Sequence, residues 1–142
     1  MVEVNGQQYQ HSTSRFELLG KRSNFRLRTV SKVSYKVRVP KEITTDSEGQ
    51  PDGIVFKKTE HEATVTMKLA EWDRVRVWAA ADSGLGVLQS QFDFAITRGN
   101  RINAVKTDTL RTCMVNEEAR SSEDSQEPHM VDVPLTFLKG EF

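Results

Sequence analysis

Few residues in this chain could carry out catalysis or bind a metal, and their spacing argues against both. There are three histidines, His11, His61 and His129, and one cysteine, Cys113. No two of these stand at metal-ligand spacing, and a lone cysteine can form neither an internal disulfide nor a zinc site. Cys113 is expected to be a small buried hydrophobe. Glu60-His61-Glu62 puts two carboxylates beside an imidazole. On a strand, however, residue 61 points away from its neighbours, so the three cannot converge on an ion. Gly84-Leu85-Gly86 follows a predicted helix instead of opening one, so it aims no backbone N–H groups at a phosphate. No Gly-x-Ser-x-Gly elbow occurs. The carboxylates of residues 117–127 lie in a polar stretch where solvation is expected. No nucleophile, base or metal constellation emerges, and the chain is read as a non-enzyme with no cofactor.

The one electrostatic feature of interest is a run of cations at alternate positions. Arg26, Arg28, Lys32, Lys36 and Arg38 share the even positions of residues 25–39 with Val30 and Ser34. Phe25, Leu27, Thr29, Ser31, Val33, Tyr35, Val37 and Val39 take the odd ones. Such a face could grip phosphates or an acidic protein. It could equally be solvated, or paired across strands with Glu60 and Glu62. The whole chain argues against nucleic-acid binding, because 20 basic residues balance 20 acidic ones and the net charge is zero. The aromatic residues Phe25 and Tyr35 lie on the opposite face, so no base-stacking platform interleaves the cations. A net charge near zero also permits close self-association.

The elements that position these residues are mostly strands. A period of two over residues 25–39 predicts one long strand, or two with a bend near Ser31. Pro40 ends the pairing. Residues 41–53, rich in Asp, Ser, Gly and Pro, predict a long loop, and Ile54-Val55-Phe56 resumes the apolar pattern. Residues 62–69 alternate again. Residues 33–66 therefore predict two strand arms joined by an excursion long enough to need a purpose. Residues 70–82 change period. Leu69, Trp72, Val75, Trp78 and Ala79 form one helical stripe, with Glu71 and Asp73 in the first turn and Gly84 suited to the left-handed cap. Further strands are expected at residues 14–19, 92–97, 110–115 and 130–138, Pro134 marking an edge or bulge in the last. Asn5-Gly6 predicts a tight turn, and residues 116–128 predict an acidic loop. Nothing resembles a signal peptide, and no apolar run approaches the ~18 residues of a membrane span. The expected architecture is a single mainly-β domain over residues 1–142. It would be a sandwich or barrel of about six to eight strands with one flanking helix and a long hairpin arm.

Read in order, this pattern resembles bacteriophage tail tube proteins and the related tubes of phage-like contractile and secretion systems. The resemblance is carried by Asn5-Gly6-Gln7-Gln8-Tyr9 and residues 12–18, then the long strand ending at Val39-Pro40. It continues through the loop with Gly49-Gln50-Pro51-Asp52-Gly53, the returning strand of residues 62–69 and the helix opened by Glu71-Trp72. It ends with Asp108-Thr109-Leu110, the acidic loop with Ser121-Ser122, the strand of residues 130–138 and Gly140.

The resemblance implies a β-sandwich with a flanking helix whose copies form rings, usually hexameric. Inner sheets would join into a continuous barrel, and rings would stack into a hollow tube. Such a tube holds a tape-measure protein during assembly and passes DNA at infection. It also implies a place in a virion tail assembled in the host cytoplasm. The lack of a further C-terminal domain favours a contractile tail, hence a sheath protein as partner. Lumens of this family are often acidic, so the basic face is expected to meet an acidic neighbour or sheath. Inter-subunit contacts are expected at Arg26, Arg28, Lys32, Lys36, Arg38, Ile54 and Phe56. The polar strand positions Asp93, Thr97, Asp132 and Thr136 are lumen candidates. The alternatives are another ring-forming protein (a secretion-system tube, tail terminator or baseplate tube component) or a small β-barrel that binds nucleic acid.

Overall fold

The computed structural model describes residues 2–10, 14–99, 106–118 and 130–142. Asn5 and Gly6 both take positive φ, 49° and 85°, as a two-residue hairpin turn requires. They join β1 (Val2–Val4) to β2 (Gln7–Tyr9). Then come β3 (Arg15–Leu19), β4 (Asn24–Leu27) and β5 (Lys32–Arg38). The alternating run is thus two strands, and the two part company. β4 pairs with β3, whereas β5 pairs with β1 and with β8 (Glu60–Lys68). The break follows from local chemistry. The Glu71 carboxylate accepts the backbone N–H groups of Arg28 and Thr29 at 3.0 Å, so these amides are taken out of any ladder.

The expected loop at residues 41–53 is also strand. β6 (Lys41–Thr45) and β7 (Pro51–Phe56) pair as a separate two-stranded sheet. The turn signal that predicted the loop is confined to its tip. There Asp46 Oδ1 accepts the N–H groups of Glu48 and Gln50 at 2.9 Å, and Gly49 takes φ 79°.

The chain continues as α1 (Leu69–Ser83), β9 (Phe92–Arg98), β10 (Lys106–Val115), β11 (Met130–Thr136) and β12 (Lys139–Glu141). Twelve strands are described, more than the six to eight expected, because short paired segments around turns lack the length for a visible alternation. α1 matches its sequence signals. Trp72, Val75 and Ala79 are buried, and Gly84 takes φ 74° and donates its N–H to Ala80 O at 2.9 Å.

Ten strands form one hydrogen-bonded path, β2-β1-β5-β8-β11-β10-β9-β3-β4, with β12 also on β10. The path folds over at β10. Its first half pairs with β9 and β12, its last two residues pair with β11, and the register slips between Leu110 and Cys113. Thr112 sits at that slip with φ 55°, so a bulge turns the corner between two sheets. The first sheet is β2-β1-β5-β8-β11, and the second is β12-β10-β9-β3-β4.

Their inner faces meet. Val65, Met67, Val133 and Leu135 from the first sheet and Leu18, Leu27, Phe92 and Phe94 from the second surround one point of the core, together with Trp72 and Val75 of α1. Cys113 is among the fully buried residues, and burial pushes its thiol up to about 12, so it packs as a hydrophobe. Pro134 sits where β11 has an open side. β10 joins it only from Leu135 onward, and the Pro134 carbonyl accepts the Asn116 N–H at 3.0 Å.

Candidate assembly interface

The site is an arm. β5 and β8 pair from Lys32↔Thr66 to Arg38↔Glu60, but β1 covers β5 only as far as Val33 and β11 covers β8 only as far as Glu62. Beyond that point the two strands run on together without flanking strands. The Lys57 N–H donates to the Pro40 carbonyl at 2.8 Å, which carries the pairing into β6–β7. Residues 33–66 therefore form an extended hairpin.

The root of the arm is fastened to both sheets. Asn5 Oδ1 accepts the Tyr35 N–H at 2.9 Å. The Tyr35 hydroxyl donates to Asp108 Oδ2, and Arg98 Nη1 lies 2.6 Å from that hydroxyl and 2.9 Å from the same carboxylate oxygen. Phe142 packs against the Tyr35 ring at a tilt, with centroids 5.4 Å apart. Burial, reinforced by the bond to Asp108, raises the Tyr35 hydroxyl pKa well above its ordinary value, so Tyr35 stays a neutral donor. Tyr35 is thus a clasp between β5 of the first sheet and β9 and β10 of the second. The sequence showed Tyr35 only as one residue of an apolar face; its partners lie 63 and 73 positions away, beyond any local pattern.

The end of the arm is apolar and open to solvent. Ile43 and Ile54 face each other across β6–β7 and are 65% and 58% exposed. Phe56 is 68% exposed, with Lys41 Nζ 5.8 Å from its ring centroid. Val55, Val37 and Val39 are exposed as well. Lys57 pairs with Glu42 at 3.5 Å. A two-stranded ribbon with solvent on every side is marginal in water, and its free strand edges are templates for another chain.

The five cations do not form one surface. Lys32, Lys36 and Arg38 lie on the outward face of the first sheet. Arg26 lies on β4, opposite Glu17 across the strands of the second sheet, and Arg28 falls in the β4–β5 connection. On the first sheet two of the three charges are answered within the chain. Lys36 pairs with Glu62 at 3.6 Å and Arg38 with Glu60 at 3.8 Å. The cross-strand neighbours of the period-two pattern thus supply the carboxylates. Exposed pairs of this kind contribute about 0–1 kcal/mol each, so they can exchange onto a neighbouring chain at little cost. His61 points the other way, edge-on to Phe137 with centroids 5.2 Å apart.

The four polar strand positions divide in the same manner. Asp132 and Thr136 are on the outward face of the first sheet, where Asp132 Oδ1 accepts the Thr66 hydroxyl at 2.6 Å and the Thr136 hydroxyl donates to Asn116 at 2.6 Å. Asp93 and Thr97 are on the outward face of the second. There Asp93 holds Arg111 at 2.9 Å and the Thr112 N–H at 2.9 Å, and Thr97 shares a hydroxyl bond with Thr107. Asp93 thereby pins the bulge at the corner of β10, a task its sequence position did not disclose.

Two carboxylates of α1 shape the connections beside the arm. Besides Glu71, Asp82 accepts the N–H groups of Lys21, Arg22 and Ser23 at 2.7–3.1 Å, which holds its carboxyl below the usual range. A Cβ on Gly20 would lie 2.5 Å from Asp82 Oδ2, so that turn needs glycine. Glu71 stands in the first turn of α1, where the helix dipole favours it, and it also accepts backbone amides 42 and 43 residues away. Among the described residues no group of three or more His, Cys, Asp or Glu could hold a metal ion, and no helix is long and apolar enough to cross a membrane.

No protein-family model matches the chain, and no curated protein matches it in sequence. Solved structures do. A chain of the anti-feeding prophage baseplate, determined by electron cryo-microscopy with six-fold symmetry imposed, superposes with a TM-score of 0.58 over 95% of this chain and 94% of that one, at 11% identity. A crystal structure of Hcp protein gives a TM-score of 0.47, 14% identity and 87% coverage of each chain. The mainly-β architecture with one helix is therefore shared, nearly end to end, with a chain of that prophage baseplate.

Proposed function

We propose that this chain is a structural subunit of a phage-type tube, with copies assembling into rings that stack around a channel. The observation that carries this reading is the arm: a hairpin clasped at its root by Tyr35, Arg98 and Asp108 that presents Ile43, Ile54 and Phe56 to solvent. A rigid root with an unburied apolar end is a shape for another copy to cover. Ile54 and Phe56 are the central inter-subunit contacts in this reading. Of the exposed cations, Arg26 and Arg28 supply rim contacts, which steer assembly more than they hold it, whereas Lys32, Lys36 and Arg38 belong to the face of the first sheet.

The outward face of the first sheet is the proposed channel wall, because the arm prolongs that sheet toward a neighbour. Its charges balance. Lys32, Lys36, Arg38 and Lys68 stand against Glu3, Glu60, Glu62 and Asp132, four of each, interspersed with Ser34, Thr64, Thr66 and Thr136. A neutral wall of hydroxyls and paired charges lets a polyanion pass without gripping it. Asp132 and Thr136 are then luminal, and Asp93 and Thr97 lie elsewhere on the ring. DNA delivery, a tape-measure protein inside, a sheath outside, six-fold rings and assembly in the host cytoplasm into a virion tail all belong to this proposal.

The likeness to a baseplate chain favours a second reading, a short tube segment that caps or starts a tail. Negative-stain electron microscopy of the purified protein separates the two. Stacked tubes support the tail tube, single rings that do not polymerise support the baseplate component, and a stable monomer at high concentration refutes both.

A further inference from the structure

β12 and the residue after it touch both the second sheet and the root of the arm. The segment leaves the core abruptly: Phe137 is buried, whereas Leu138 is 70% exposed. Lys139, Gly140 and Glu141 then pair with Arg111, Leu110 and Thr109 of β10. Continued by one residue, that register puts Phe142 opposite Asp108, whose carboxylate accepts the Tyr35 hydroxyl. The Phe142 ring folds back over Gly140 and packs against Tyr35 of β5, on the other sheet. A Cβ on Gly140 would collide with that ring, so glycine is what lets the ring lie there.

We infer that residues 139–142 are a releasable strap over the root of the arm. Docked, the Phe142 ring holds Tyr35 in its clasp with Asp108 and Arg98. Undocked, it frees Tyr35 and loosens the β5–β8 root. Little holds the strap down. Its ladder on β10 is three residues long, and the ion pair of Glu141 with Arg111 at 3.2 Å joins two half-exposed side chains. Arg111 keeps Asp93 at 2.9 Å when Glu141 departs. Most of the grip is therefore the Phe142 ring.

The docked state also carries a cost. Asp108 is 2% exposed, and its Oδ1 meets no hydrogen-bond donor among the described residues, with Lys106 Nζ standing 3.9 Å away. A buried acceptor left unmet favours an opening that admits water. A light grip set against that cost makes a segment that opens locally, while buried Phe137 keeps it tethered to the core. The device lies within one chain and needs no second copy, so it goes beyond the assembly proposed above and is tested apart from it.

Hydrogen exchange read by mass spectrometry, at a concentration where sedimentation velocity finds monomer, tests the strap. Phe142→Ala removes the ring, and Gly140→Ala expels it while leaving it in the chain. Gly140 does not take a positive φ, so the added methyl disturbs only that contact. Each variant should speed exchange in residues 34–38 and 60–63 by about tenfold or more, with exchange in β9 unchanged. Phe142→Tyr, which keeps a ring, should exchange as wild type does. The double variant of Phe142→Ala with Gly140→Ala should exchange no faster than either single one, because both act through the same ring. Unchanged exchange at the arm root in both single variants overturns the inference. So does an equal rise in β9, which would mean general loosening, and so do additive effects in the double variant.

Discussion

The sandwich body and the β6–β7 hairpin use the same strand-forming residue types and leave them in opposite environments. In the body, Val33, Val65, Phe94 and Ile96 are at most 1% exposed. In the hairpin, Ile43, Ile54 and Phe56 are more than half exposed. The ladder hydrogen bonds are alike; what differs is the second layer. Two sheets and a helix bury one another in the body, while among the described residues nothing packs on either face of the hairpin. Local pairing thus explains the shape of both regions, but the body's stability comes from packing it completes itself. In the proposed assembly, a second molecule covers the hairpin's apolar surface.

Breaking the body should have the largest effect on stability. Trp72 is fully buried under both sheets, so Trp72→Ala should lower the unfolding free energy by about 3–5 kcal/mol, read as a fall in the urea midpoint. Glu71→Ala should come next. It strands the amides of Arg28 and Thr29 and should cost about 1–3 kcal/mol by the same measurement.

Asp82 contributes a pH-dependent part. Its folded pKa is depressed below the ordinary 3.8, first by the bond from Arg22 N–H. Its stabilisation is therefore fully present above the unfolded carboxylate value and is lost as pH falls through the lower folded value. Between about pH 5 and pH 2 the urea midpoint of wild type should fall more steeply than that of Asp82→Asn, and equal slopes would dismiss the role given to Asp82.

The hairpin should show the smallest effect. Ile43→Thr with Ile54→Thr should shift the monomer's unfolding free energy by only about 0.5 kcal/mol or less, while assembly is lost. A large loss of monomer stability would mean that the hairpin packs on its own body.

Sequence periodicity revealed the elements with long or sharp local signatures. These are the helix with its Gly84 cap, the alternating residues 62–69, the Asn5-Gly6 turn and the presence of a long hairpin arm. It did not locate the break inside residues 25–39, because Glu71, not a local turn signal, takes the Arg28 and Thr29 amides. It missed β6 and β7 because Pro, Gly and Asp there mark a turn tip with strands on both sides. The cation pattern was legible residue by residue, yet its division between two sheets depends on the topology. The Tyr35–Asp108–Arg98 clasp joins residues far apart in sequence and could not be found from any window.

The most direct measurement of the central claim compares the full chain with one in which residues 41–56 are replaced by Asn-Gly. The Lys57 N–H already meets the Pro40 carbonyl, so the shortened ends are adjacent and the β5–β8 pairing can close on a tight turn. Sedimentation velocity followed by negative-stain microscopy should find rings or tubes for the full chain and a folded monomer for the shortened one. A full chain that remains monomeric, or a shortened chain that assembles as readily as the full one, would contradict the account.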